Sequence, residues 1–324
     1  MLSHCDARHI FDFEDSVPEK AIKWILCASV FCTVVGLRPV AAEPYEGHVL
    51  VLGAIHQDVE GRYAELRPMA DYIAAALAPY GVSRVDVMVV EDRRRLARMM
   101  RDGRIDWISE DPATAVYLQE AAGVEMLARK WKQGAPQFRS VFFTRTDSGV
   151  TELGDLIGRT IAFVKPDSTA GHLLPAAELI LRGHRAASLD TPRQRAPAET
   201  IGYAFSGSDL NSTTWVHKRI VDAGVISNVG WESQDSLPDF FRKELVVFHQ
   251  TESMPHALEL VRSDLDAGIK ARLKQILLSM GQDATAAAAL QTYQGALRFD
   301  ELDATDRQTI GELRSIFTQL MLVN

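Results

Sequence analysis

The 324-residue chain has three cysteines, Cys5, Cys27 and Cys32, and none beyond position 32. From there on it can form no disulfide and no thiolate metal site. Long hydrophobic runs are equally restricted: after residue 42 no stretch is apolar enough to span a membrane. An excess of basic charge is missing too. Lys and Arg number 35 against 43 Asp and Glu, a net charge of −8. That argues against nucleic acid as a partner, which needs a basic face. Enzyme signatures are absent as well. The chain has no Walker loop, no Rossmann glycine triplet and no H-E-x-x-H pair. The segment "GYAFSGS" (202–208) lacks the G-x-S-x-G of a nucleophile elbow. His56 and His172 lie in polar loops with no partner at a catalytic spacing. Arg93-Arg94-Arg95 reads as a solvated helix face. No catalytic residue, metal or cofactor is therefore expected.

What the chain does have begins at its N-terminus. "KAIKWILCASVFCTVVGLRPVAAEP" (20–44) places Lys20 and Lys23 before an apolar run from Trp24 to Leu37, followed by Val40-Ala41-Ala42. This is the pattern of a secretory signal, with cleavage after Ala42 and a mature N-terminus at Glu43 in the periplasm. An uncleaved anchor or a buried helix is the alternative. Residues 1–16 are acidic and fit no leader, whereas a start at Val17 would give an ordinary one. A cut after Ala42 removes all three cysteines.

From residue 48 apolar strand patterns alternate with helical ones. Strands are expected at 48–55, 84–90, 104–109, 124–129 and 140–145. Leu66, Met69, Ile73 and Leu77 recur at helical spacing. Asp111 and Pro112 supply an N-cap and an N1 proline for a helix over 113–122. A second set follows, with strands at 159–164, 200–205 and 223–227 and helices near 170–181 and 210–222. A return segment opens at 244–251, and two or three helices end the chain. The alternation predicts an α/β fold with mostly parallel sheets covered by helices.

Ligands of such sheets sit where strand C-termini meet helix N-termini. Four polar loops fall there: "HQDVEGRY" (56–63), "SEDPAT" (109–114), "KPDSTAGH" (165–172) and "SGSDLNS" (206–212). Ser, Thr, Asp and Asn are also ordinary helix caps, so each loop alone has a plain structural reading. Four of them at successive strand ends predict a shared cleft.

The run "RTDSGVTELGDLIGRTIAFVKPDSTAGHLLPAAELILRG" (145–183) resembles the phosphate/phosphite/phosphonate-type periplasmic substrate-binding proteins of ABC importers. So do "IGYAFSGSDLNSTTWVHKRIVDAGVIS" (201–227) and "RFDELDATDRQTIGELRSIF" (298–317). The resemblance covers about 48–320. It implies a two-lobed type II binding protein that closes on its ligand, with lobe I at 43–140 and 245–324 and lobe II at 141–244. It also implies that Ser168 and Thr169 hold an anion, with Tyr63, Glu110 and Asp209 facing them. The chain departs from the family where Glu110 replaces an aromatic residue, and where Ser208, followed by Asp209 and Asn211, replaces a histidine segment. A carboxylate opposite a dianion repels it unless protonated, so hydroxyl- or amine-bearing solutes gain ground. The expected protein is a monomer that carries a small oxyanion or related solute to an ABC permease. The alternative is a module presenting its solute to a membrane sensor kinase.

Overall fold

A computed structural model describes residues 47–132 and 134–323, with side chains to residue 316. The predicted leader, its cleavage site and the three cysteines lie outside the described residues. The first half-domain runs β1 (His48–Ile55), α1 (Val59–Leu77), β2 (Val82–Val90), α2 (Arg93–Arg101), β3 (Trp107–Glu110), α3 (Pro112–Ala122) and β4 (Glu125–Lys132). After a short strand β5 (Gln137–Phe138), a second set contains β6 (Ser140–Arg145), β7 (Thr160–Phe163), α4 (Leu174–Leu181), β8 (Ala186–Ser188) and β9 (Ile201–Phe205). It continues through α5 (Asp209–His217), β10 (Ala223–Ser227), α6 (Asn228–Glu232), α7 (Asp239–Arg242) and β11 (Leu245–Gln250). The chain then returns through β12 (Met254–Pro255), β13 (Ala257–Val261), α8 (Ala267–Ser279), α9 (Ala287–Thr292), β14 (Ala296–Asp300) and α10 (Ala304–Val323).

Two six-stranded sheets result. The first has the order β14-β4-β13-β3-β1-β2, with β1 to β4 running one way and β13 and β14 the other. The second has the order β11-β6-β10-β7-β9-β8, and only β6 opposes the rest. The chain passes between the sheets twice, and the short antiparallel pair β5–β12 joins the two crossings. Each sheet is covered by apolar clusters on both faces. That explains why β1 and β7 read as nearly unbroken apolar runs. Leu66, Met69, Ile73 and Leu77 of α1 pack on the first sheet, as their spacing predicts.

The polar helix starts are real caps. Asp58, Asp92 and Asp111 each accept a backbone N–H three residues on, at 3.0, 2.8 and 3.0 Å. Several boundaries differ from expectation, two of them by enough to show a cause. The strand expected from residue 104 starts at Trp107, because the Asp106 carboxylate is spent on Val51 N at 2.7 Å and Arg262 Nε at 2.6 Å. The helix expected to reach 222 ends at His217, and Arg219 takes a φ of 57° there. Strands β5, β8, β12, β13 and β14 were not expected. Among the described residues no helix is long and apolar enough to cross a membrane.

Candidate ligand-binding site

The four polar loops form one connected chain of contacts at the strand ends. Backbone of Ser206 and Gly207 donates to Phe163 O and Val164 O, both at 2.8 Å, which sets the 206–212 loop against the 165–172 turn. That turn is tightly wound. Ser168 caps it by accepting from Gly171 N at 3.0 Å, and Val164 N donates to Gly171 O at 2.9 Å. Residues 169–173 form a π-type turn that leads into α4. A Cβ on Gly171 would lie 2.5 Å from Val164 Cγ2, so only glycine fits. The hydroxyl of Thr169, which is buried, donates to Asp111 Oδ1 at 2.7 Å. This bond joins the second sheet's turn to the helix start of the first sheet. Asp111 also accepts from Thr114, so it serves as cap and bridge together.

Glu110, beside Asp111 at the end of β3, carries the most informative electrostatics. Burial and the neighbouring Asp111 charge push its carboxyl up to about 8. Lys130, a backbone N–H from Ile55, and Arg62 of α1 pull the other way without prevailing. Ile55 precedes the 56–63 loop and Arg62 belongs to it, so the first loop lies beside Glu110 as well. At neutral pH Glu110 therefore holds its proton and is a hydrogen-bond donor.

The remaining predicted residues are spread around this centre. Ser208 caps α5 by accepting from Asn211 N at 3.2 Å, and it is exposed. Asn211 spends its amide on Ser206 O at 2.8 Å. Asp209 is half-buried, and burial raises its pKa. A Cβ on Gly230 would lie 2.4 Å from its Oδ2, so the carboxylate is pressed against α6. Tyr63 is 43 % exposed on the first turn of α1. The histidines of the loops are engaged elsewhere. His172 binds Pro166 O through Nδ1 at 2.8 Å and packs against Phe163 and Phe205. The Nδ1 atom of His56 accepts from Asp58 N at 3.0 Å.

A second polar group lies behind Glu110 and was not anticipated. Lys130 and Glu259 are fully buried in the first sheet. Glu259 Oε2 accepts from Trp107 Nε1 at 2.6 Å and from Tyr293 OH at 3.0 Å. The Ser109 hydroxyl lies beside the Glu259 carboxyl and favours its charged form. Charged residues inside two otherwise apolar strand runs, "MLARKW" and "ALELV", were the available clue.

This architecture is that of a type II periplasmic binding protein: two mostly parallel sheets, each flanked by helices, joined by two crossings, with loops meeting between them. The sequence profile described as "ABC transporter, phosphonate, periplasmic substrate-binding protein" matches residues 53–307. The chain belongs to this family of substrate-binding proteins of ABC transporters. It is 32 % identical to XAC2383 from Xanthomonas citri bound to chloride ion, covering 85 % of this chain and 99 % of that one, with a TM-score of 0.75. The ATP-bound structure of XAC2383 is similar at 33 % identity over 82 % and 96 % of the two chains, with a TM-score of 0.73. PhnD1 from Prochlorococcus marinus, in complex with methylphosphonate, shares the fold at 18 % identity over 83 % and 98 %, with a TM-score of 0.56.

Proposed function

We propose that the protein is the periplasmic receptor of an ABC importer and captures a small phosphate- or phosphonate-like oxyanion between two lobes. The observation that carries this reading is the Thr169–Asp111 bond at 2.7 Å. It brings the capped turn at Ser168 and the capped start of α3 together from opposite sheets. Ser168 and Ser208 offer hydroxyls at helix starts, which suit an anion, while Thr169 and Asn211 brace the loops that carry them. In this reading Tyr63, Glu110 and Asp209 form the walls. A protonated Glu110 donates to an anion instead of repelling it, which removes the chief objection raised by the carboxylate. The lobes in this reading are 43–140 with 245–324, and 141–244. Delivery to a permease is favoured over presentation to a sensor kinase, because the family is one of ABC transporters.

A second ligand class has its own support. Glu110 is a carboxyl group where phosphonate binders present an aromatic residue, and the similar protein XAC2383 is described bound to ATP. A phosphoryl ligand carrying hydroxyl or amine donors would use that carboxyl group. Thermal-shift and calorimetric titration of the periplasm-purified protein separates these readings. Methylphosphonate, inorganic phosphate, methylsulfonate and ATP are the probes, since a ligand bound only by the folded state raises its stability. Stabilisation by methylphosphonate or phosphate supports the first reading, and stabilisation by ATP alone the second. No response to any phosphoryl compound would overturn both.

A further inference from the structure

An anion is best met by a cation, and the four polar loops hold few. Their permanently charged bases are Arg62 in the first loop and Lys165 in the third. Lys165 is exposed, whereas the Arg62 side chain is only 15 % exposed. Helix periodicity accounts for the difference. Arg62 stands one turn before Leu66 and two before Met69, so it heads the stripe of α1 that packs on the first sheet. Val59 and Tyr63, off this stripe, are 47 % and 43 % exposed. The stripe thus ends in a cation at the sheet end where the loops gather. There the β1–β3 register, Leu52 to Trp107 and Gly53 to Ile108, leads two residues further on to Ile55 and Glu110. The turn that carries Arg62 is fixed. Asp58 caps it, His56 N donates to Val90 O at 2.9 Å, and Gln57 Nε2 donates to Glu91 O at 3.1 Å. The guanidinium itself is only partly used. Nη1 donates to Glu65 Oε2 at 2.8 Å, on the solvent side, where the Glu65 side chain is 55 % exposed. Nε is buried and has no hydrogen-bond partner among the described residues. A buried N–H without an acceptor is costly, so this edge of the arginine calls for an oxygen that the protein does not supply.

We propose that Arg62, at the head of the sheet-facing stripe of α1, is the cation that receives the ligand's phosphoryl group. The inference rests on the reading of the loops as a phosphoryl-binding site, and it names the positive charge which that reading leaves unassigned. The Nε–Nη2 edge of a guanidinium presents two parallel N–H donors in one plane, the geometry that meets two oxygens of one phosphoryl group. The hydroxyls at Ser168 and Ser208 then approach from the second sheet. Glu65 acts on the same guanidinium in two ways. By holding Nη1 it fixes the plane, and its charge competes with the ligand's.

Calorimetric titration with methylphosphonate, inorganic phosphate and ATP compares the parent protein with three variants. Arg62→Met keeps an unbranched side chain in the stripe and removes the donors. Affinity for each probe that the parent binds should fall by roughly a hundredfold, the worth of two hydrogen bonds to a charged group. Arg62→Lys keeps the charge and loses the planar edge, so it should recover only part of that loss. Glu65→Gln keeps an acceptor for Nη1 and removes the competing charge, so binding should tighten by about twofold to fivefold at low salt. Glu65 is exposed, so this variant and Arg62→Lys carry the test should Arg62→Met fail to fold. A purely structural arginine would give neither the partial rescue nor the gain. Affinities within about threefold of the parent's in the folded Arg62 variants would overturn the inference and leave the ligand reading standing. A parent that binds none of the three probes would overturn the ligand reading, and this inference with it.

Discussion

At the scale of single residues, Glu110 makes a pH-dependent contribution whose sign can be worked out. Its carboxyl sits at about 8 in the fold against an ordinary value of 4.5. Between those limits the folded protein holds a proton that the unfolded chain has released. Stability therefore falls as pH rises through this window, by up to about 1.4 kcal/mol per pH unit from this one group. Glu110→Gln removes the titration and keeps the shape. Its melting temperature should exceed that of the parent at pH 7.5, and the difference should shrink towards zero at pH 5. A difference that stays flat across this range would show that Glu110 is not held protonated. Ser168 is a separate case. It is the cap of a helix start, so Ser168→Ala should cost about 1 kcal/mol in urea denaturation. If it also donates to an anion, methylphosphonate affinity should fall roughly tenfold, since a hydrogen bond to a charged group contributes about 1.5–3 kcal/mol. Loss of stability with unchanged affinity would leave Ser168 as a cap only.

At the scale of elements, the C-terminal helix is anchored at its start through Arg129. Arg129 on β4 binds both oxygens of Asp300 at 2.8 Å and Asp306 Oδ2 at 2.8 Å. Asp306 is fully buried in the first turn of α10, and its other oxygen accepts from Gln137 on β5 at 2.7 Å. Deleting the cation would strand a buried carboxylate, so Arg129→Ala should cost about 3–5 kcal/mol. Urea denaturation measures this, and a loss below about 1 kcal/mol would show that Asp306 finds other relief. The same region shows where reading the sequence stops. Runs such as "SVFFTR" are dense in β-branched and aromatic residues, and they became strands at the expected positions. The capped loops were legible because Asp58, Asp111, Ser168 and Ser208 carry the chemistry of helix starts locally. Strand β13 was missed because Glu259 interrupts its apolar run, and β14 because Leu297, 56 % exposed, spoils the alternation. The Lys130–Glu259 cluster was out of reach for a deeper reason. Its partners are distant in the chain and meet only through the register of β13 against β3 and β4.

At the scale of the whole molecule, the two sheets meet through modest contacts, and this bears on closure. Ala170, Leu173 and Leu174, from the helix of the second sheet, pack on a cluster of the first that contains Met254 and Leu313. Polar contact between the two is made by Thr169 with Asp111. If the lobes hinge at the β5–β12 crossing, the Thr169–Asp111 bond helps hold them closed without a ligand. Thr169→Val keeps the β-branched shape and removes only the donor. A net hydrogen bond is worth about 1 kcal/mol, so the closed-to-open ratio should fall by roughly fivefold. Small-angle scattering should show a larger radius of gyration for the ligand-free variant than for the parent. Saturating methylphosphonate should return both to the same compact value. Because a ligand must then supply the closure that the bond supplied, apparent affinity should weaken by no more than the same factor of about five. A larger loss would mean that Thr169 itself holds the ligand. Identical radii and identical affinities would mean that the bond is incidental to closure.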